Sequence, residues 1–258
     1  MKAFLAMTFA LFFGFYLTGA QATNKTEDQQ PQAGIQGEAR RLWEEALAAK
    51  GGRERLLAVR NIVISWRDNK HVDLYVFPNK IWRWMDDRPS QIGLTVSMHN
   101  LESNFAYLTY PDDPESPRRL GESGSGRIPL RDAQLYFLLE TQWVRPVPIG
   151  VASARVGRRK VNVVKTLVDG KQVDYYLDRE SHLPLKVAFP AADDRGTYYV
   201  AFSDYKAVDG IQMPQRVSYL GSDWLSTSYQ LNVTYNEQIF ERPPTIEAGP
   251  QAWKSQQP

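Results

Sequence analysis

Three histidines, three adjacent acid pairs and one glycine–serine run are the places where familiar catalytic chemistry could assemble in this chain. His71, His99 and His182 fall on separate strand or turn segments. Neither an H-E-x-x-H spacing nor any other brings two imidazoles to one metal ion. Asp86-Asp87, Asp112-Asp113 and Asp193-Asp194 all flank expected turns. Neighbours on an extended chain point to opposite faces, so such a pair does not share a cleft as acid and base. The run Gly121-Glu122-Ser123-Gly124-Ser125-Gly126 fits neither G-x-S-x-G nor G-x-x-x-x-G-K-[ST], and it follows a proline-rich stretch rather than a buried strand. It reads as a linker. No cysteine occurs, which removes disulfides, zinc–thiolate sites, thiol nucleophiles and the acylated cysteine of a bacterial lipoprotein. The expectation is a protein with no catalytic residues, no metal and no cofactor.

What the chain has instead is aromatic surface: 7 Trp, 13 Tyr and 11 Phe, many of them on strand-like segments. Most belong in a core, but a curved sheet keeps a concave face that one or two helices do not fully cover. Side chains left there would line a cavity suited to acyl chains. Trp66, Trp82, Trp84, Phe105, Tyr107, Phe137 and Leu138 are the candidates for that lining. Charge adds little. Arg40-Arg41, Arg118-Arg119 and Arg158-Arg159-Lys160 are scattered short runs in a chain of net charge +2, so nucleic acid is not an expected partner.

The elements that would position these residues follow from periodicity. Leu42, Trp43, Ala46 and Leu47 form one stripe on a helix over Glu38 to Lys50, which Gly51-Gly52 ends because glycine takes the left-handed C-cap conformation freely. A short helical turn, Glu54 to Val59, leads to five strands between Asn61 and Tyr110. In the first, Ile62, Ile64 and Trp66 take one side, with Ser65 and Arg67 on the other. Trp82 and Trp84 face away from Ile81, Arg83 and Met85 in the third. A loop, Pro111 to Gly126, and an apolar helix, Leu130 to Val144, come next, with Leu135, Leu138, Leu139 and Trp143 on one face. Six more strands run from Lys160 to Glu237, with hairpin signals at Asp169-Gly170 and Asp209-Gly210. About eleven strands with short connections imply a mainly β fold: a single antiparallel sheet that curls into an unclosed half-barrel, with helices over its concave face.

At the N-terminus, residues 1–22 have the charge, apolar run and small-x-small end of a cleaved signal peptide. The apolar run of about 15 residues falls short of a bilayer span. Thr23 to Gly37 reads as a disordered spacer, residues 38–244 as one domain and residues 245–258 as a flexible tail.

Three stretches carry a resemblance. They are Ala49-Lys50-Gly51-Gly52 with Leu56 and Val59, Tyr176-Leu177-Asp178-Arg179-Glu180-Ser181-His182-Leu183-Pro184, and Phe202 to Pro214, which contains Asp204-Tyr205-Lys206-Ala207-Val208-Asp209-Gly210-Ile211. Together with the element order they resemble the periplasmic lipoprotein-carrier superfamily, the LolA/LolB-like proteins. That resemblance implies an unclosed antiparallel barrel with helices as a lid. It also implies a cavity arginine that holds the lid closed, for which Arg83, between Trp82 and Trp84, is the candidate. The implied function is that of a monomeric periplasmic carrier of lipid or lipoprotein acyl chains, delivered towards the outer membrane, with envelope membrane proteins as further partners. Two alternatives stay open: a non-catalytic structural or protein-binding module with a filled interior, and a secreted hydrolase assembled from scattered residues.

Overall fold

The computed structural model describes residues 29–66, 70–88, 93–103, 105–111, 113, 115–120, 127–190, 196–219, 222–247 and 249–254. The expected signal peptide and the Gly121–Gly126 run lie outside them. Helix α1 (Gln29–Lys50) and the short α2 (Arg53–Ala58) precede strands β1 (Asn61–Trp66), β2 (His71–Val76), β3 (Lys80–Asp87), β4 (Gly93–Asn100), β5 (Phe105–Thr109) and the two-residue β6 (Arg118–Arg119). Helix α3 (Arg127–Leu138) follows. Then come β7 (Val147–Val156), β8 (Arg159–Val168), β9 (Lys171–Asp178), β10 (Pro184–Pro190), β11 (Thr197–Val208), β12 (Ile211–Tyr219) and β13 (Ser222–Leu231), with a 3-10 turn at Glu237–Phe240.

All thirteen strands join one antiparallel sheet in the order β6-β5-β4-β3-β2-β1-β13-β12-β11-β10-β9-β8-β7. Strand β13 is the seam: Ser226 to Leu231 pair with β1, and Ser222 to Leu225 pair with β12. The order ends at β6 and β7, which do not pair with each other, so the sheet is an unclosed half-barrel. Both Asp-Gly signals are tight turns with positive φ at each residue, 50° and 74° at Asp169-Gly170 and 49° and 78° at Asp209-Gly210.

There are two strands more than the eleven expected. One is β6. The other is β7, whose Gly150, Ala152, Ser153 and Ala154 have weak strand propensity and little apolar alternation. It is an edge strand, where Pro148 is tolerated, and α1 lies against it.

The face that carries α1 and α3, called inner below, holds the larger core. Leu42, Trp43, Ala46 and Leu47 of α1, Leu135, Phe137 and Leu138 of α3, and inward residues from β1 to β13 form one buried cluster. A smaller second cluster lies on the opposite, outer face of β1–β5. There Val63, Leu74, Trp82, Val96 and Met98 are covered by Phe240 and Trp253 from the end of the chain.

That outer cover revises both expected boundaries of the domain. Residues 245–254 were expected in a flexible tail, yet Trp253 is 3% exposed and its carbonyl accepts from the Asn236 amide at 2.8 Å. Tyr235 and Lys254 form a β-bridge, and the Pro244 carbonyl accepts from the Thr109 hydroxyl at 2.7 Å. Gln- and Pro-rich composition hid a strap whose anchor is one tryptophan. At the other end, α1 begins at Gln29, so the helix includes residues 29–37 of the expected spacer. Gln and Ala are good helix formers, and Pro31 sits in the first turn, where its missing N–H breaks no helical bond.

Helix α1 stops where its double glycine meets a turn. Gly51 has φ 135°, and a Cβ there would stand 2.5 Å from the Gly210 carbonyl oxygen. This approach buries Lys50 completely. Its ammonium donates to the Gln212 carbonyl and lies 5.0 Å from the Tyr205 ring centroid. Burial lowers its pKa from 10.5 to about 7.

Two measurements test this architecture. Trp253→Ala, and separately truncation after Pro244, should each lower the unfolding free energy by about 3–5 kcal/mol in urea, the cost of removing a core aromatic; a free tail would leave the midpoint unchanged. For Lys50 the unfolded chain holds its proton up to about pH 10.5 and the native chain releases it near pH 7. Stability should therefore rise as pH rises between those values, by on the order of 5 kcal/mol, with the full cost of the buried cation present below pH 7. Urea titrations at about pH 6.5 and about pH 9.5 read the slope, which Lys50→Met should flatten.

Candidate functional site

The centre of the inner face is built on cross-strand register. Ile64 of β1, Asp73 of β2, Arg83 of β3 and Ser97 of β4 stand in one row, flanked by the row Trp66–His71–Met85 and the row Ile62–Tyr75–Ile81. Asp73 is 2% exposed and is the hub. Its Oδ1 accepts from Arg83 Nε at 2.5 Å and lies 3.0 Å from His71 Nε2. Its Oδ2 accepts from Trp66 Nε1 at 3.1 Å and from the Tyr75 hydroxyl at 3.3 Å. Arg83 Nη2 donates to the Tyr75 oxygen at 3.2 Å, closing the network.

Burial alone would raise the Asp73 carboxyl, but the adjacent charges of Arg83 and His71 and their hydrogen bonds outweigh it and hold the pKa well below the usual carboxylate range. Burial and the Asp73 charge push the Tyr75 phenol upward, and the carboxylate raises Arg83 despite desolvation. A carboxylate so saturated with donors is a poor base. The cluster fixes geometry rather than moving protons.

Helix α3 covers this row. The Phe137 ring lies 6.3 Å from Trp66, 6.4 Å from Tyr75 and 5.9 Å from Tyr229, so it reaches both halves of the sheet. Its neighbour Tyr136 lies 5.1 Å from Phe189 and 6.2 Å from Phe202. The expected helix, Leu130 to Val144, ends early at Leu138. Leu139 takes φ 64°, and the Thr141 hydroxyl accepts from the amides of Trp143 and Val144, replacing helical bonds with a turn. Trp143 is consequently 36% exposed instead of sharing the buried face.

The sequence candidates divide between the two faces. Trp66, Arg83, Phe137 and Leu138 meet on the inner face. Trp82, Trp84, Phe105 and Tyr107 belong to the outer cluster under the C-terminal strap. Trp82 and Trp84 pair with Met98 and Val96, whose side chains are on that outer side, so alternation along β3 separates them from Arg83. Four open cavities, of about 580, 320, 490 and 650 Å³, are bounded by described residues, and Trp82 alone among the candidates lines any of them.

The resemblance implied that Arg83 latches the lid, but its hydrogen-bond and ion-pair partners among the described residues are Asp73 and Tyr75, both on β2. The arginine tied to the α3 end is Arg53. Its guanidinium donates to Glu140, just past α3, at 3.1 and 3.2 Å and to Glu44 of α1 at 2.8 and 3.0 Å. Sequence reasoning also missed Asp73, Tyr75, Tyr136 and Tyr229. The available signal was Asp73 itself, a lone acid in the apolar alternation of β2, whose six residues are all buried.

The histidines and acid pairs weighed in the sequence are placed as follows. Among the described residues no three His, Asp or Glu side chains converge to hold an ion. His182 lies 3.4 Å from Glu45, Asp86 pairs with Arg88, and Asp113 pairs with Arg118, each a local turn or surface contact. Asp112, Asp193 and Asp194 lie outside the described residues. Among the described residues no helix is long and apolar enough to cross a membrane.

No protein-family model matches the chain, and neither does any curated protein sequence. Solved structures similar in fold include one described as an outer membrane lipoprotein-sorting protein domain from Vibrio parahaemolyticus, 12% identical, covering 80% of this chain and 97% of that one at TM-score 0.42. A DUF1329 family protein from Desulfovibrio piger is 13% identical, with 78% and 96% covered and TM-score 0.46. A LolA superfamily protein from Nitrosomonas europaea is 13% identical, with 78% and 96% covered and TM-score 0.41. The likeness is of fold alone and says nothing about what this chain binds.

The Asp73 hub is open to a direct test. Arg83→Leu should destabilise by about 2–3 kcal/mol, less than the loss of a fully buried pair because the Arg83 side chain is 35% exposed. Asp73→Leu/Arg83→Leu should regain much of that loss, since no unpaired charge then remains inside. Because the folded carboxyl is lowered below 3.8, its contribution is present above that pH and is lost as pH falls below it. Acid unfolding of the wild type should therefore shift to higher pH in Arg83→Leu.

Proposed function

We propose that this protein is a periplasmic carrier that takes the acyl chains of lipids or lipoproteins onto the inner face of its half-barrel and hands them on towards the outer membrane. One observation carries the proposal. The middle of a wide inner face is closed by a single twelve-residue helix, whose Tyr136, Phe137 and Leu138 fill the space between the two halves of an unclosed sheet. In this proposal α3 is a stand-in for cargo. It moves outward about the Leu139–Thr141 turn when acyl chains arrive, and Arg53 with Glu140 and Glu44 is the polar tie that sets how readily it moves.

Energetics favour such an exchange over an open hollow. A chain of about 16 carbons gains about 13 kcal/mol gross when buried, and three chains would approach 40, beyond the ceiling of about 20 for reversible association. Lifting buried aromatics out of the way offsets part of that gain and keeps release possible. The signal-like residues 1–22 and the motif resemblance support placing this action in the cell envelope, in contact with membrane proteins that load or unload the carrier.

A second reading has its own support: Phe137 and Leu138 are 3% and 0% exposed, as in a filled module that binds protein partners and no lipid. Native mass spectrometry of protein isolated from the cell envelope, with uptake of a fluorescent fatty acid, separates the two. The carrier reading expects copurified acyl species, and stronger probe uptake in Arg53→Ala and Phe137→Ala. Lipid-free protein that ignores the probe in all three forms would establish the filled module instead.

A further inference from the structure

The two outer surfaces of this sheet are unlike. Over β1–β5 the C-terminal strap covers an apolar cluster. Over β10–β12 the outer side opens instead into a cavity of about 580 Å³, with Arg158, Arg159 and Arg216 at its rim and Val156, Leu183 and Leu185 in its wall. Ser181, Ser203 and Ser218 also line it, with Asp204, Phe202 and Tyr205.

The charges are not balanced. Arg159 meets Asp178 at 3.2 Å and Arg216 meets Asp204 at 3.4 Å, but Arg158 has neither an ion pair nor a hydrogen bond among the described residues. Beside the cavity, Lys186 stands opposite Ala201, one of its lining residues. The Lys186 ammonium lies 4.2 Å from the Tyr176 ring and 4.2 Å from the Tyr199 ring, with no carboxylate partner among the described residues. Tyr199 is 46% exposed. Two uncompensated cations therefore flank an open hollow that combines donors with an apolar wall, next to an exposed tyrosine.

We propose that this outer face docks on the surface of an anionic phospholipid bilayer, a lipid phosphate seating among Arg158, Arg159 and Arg216 while Tyr199 lies at headgroup level. Arginine forks match phosphate oxygens, and the hydroxyls complete their coordination. The apolar wall suits the glycerol region of a lipid better than a freely hydrated ion, and tyrosine favours the boundary between water and acyl chains. Basic residues near an anionic surface each raise partitioning about fivefold, screened by salt. Arg158, Arg159, Arg216, Lys186 and Tyr199 are not part of the inner core, so the docking surface stands whether or not the inner face carries cargo.

Co-sedimentation with vesicles tests it. Wild-type protein is compared on pure phosphatidylcholine and on phosphatidylcholine containing about 30% phosphatidylglycerol, at low and high salt. Alongside it run Arg158→Glu/Lys186→Glu and a control of equal charge change, Arg40→Glu/Arg145→Glu, at exposed positions elsewhere. The expected result is salt-sensitive binding to the anionic vesicles that falls by about tenfold or more in the test pair and about twofold at most in the control. Should Lys186→Glu impair folding, Arg158→Glu alone is expected to lose about fivefold or more. Equal wild-type binding to both vesicles, equal losses in the test and control pairs, or displacement by inorganic phosphate beyond its ionic strength would each overturn the proposal. The last would mark the cavity as a site for free anions. Fatty-acid uptake should not change in the outer-face variants, which separates this result from the fate of the carrier proposal.

Discussion

A sheet has two faces, and each apolar face has to be removed from water by something the chain itself supplies. In β1–β3 both faces are covered, by α3 inside and by the strap from Asn236 to Lys254 outside. In the second half, where β10–β12 open outward to the arginine-rimmed cavity, the inside carries the core. This difference governs where every aromatic residue ends up. A tryptophan on β1 and one on β3 can both be buried and still belong to separate cores, as Trp66 and Trp82 do.

Double coverage also explains the polar hub. Were β2 half-solvated, His71, Asp73 and Tyr75 would simply face water opposite Val72, Leu74 and Val76. With both sides closed, an ionised Asp73 survives because four donor groups surround it and a guanidinium neutralises it. Lys50 represents the opposite solution. Among the described residues it has a carbonyl and a ring but no carboxylate partner, and burial makes its amine give up the proton more readily. Both groups mark places where a helix has been pressed onto the sheet.

Much of this was legible. The stripe of α1, the double-glycine stop, two Asp-Gly turns and the meander itself follow from local rules that the tertiary structure respects. The losses share a cause: each needed information from a distant segment. Strand β7 has its pattern broken by Pro148, Gly150 and the small residues Ala152 to Ala154, and it is held by β8 and α1. The tail is mostly polar, and the partners of its Ile246, Ala252 and Trp253 lie far back in β1–β4. The candidate lining mixed two faces because alternation shows which residues are on the same side of one strand, not which side of the sheet that is. For β3 only the pairing to β4 decides, and it places Arg83 inward and both tryptophans outward.

Helix α3 is where these constraints meet. In sequence it lies between β6 and β7, the two free edges of the sheet. A strand in that place would have closed the barrel and fixed its contents. A helix cannot pair with either edge, so it contributes side chains instead, and Phe137 touches aromatic groups from β1, β2 and β13 together. The hydrogen-bonded sheet is complete without it: no strand pairing runs through α3, and its far end is tied by an arginine that is 42% exposed. Side-chain packing and polar side-chain contacts, the Arg53 tie among them, rather than strand pairing hold α3 over the interior.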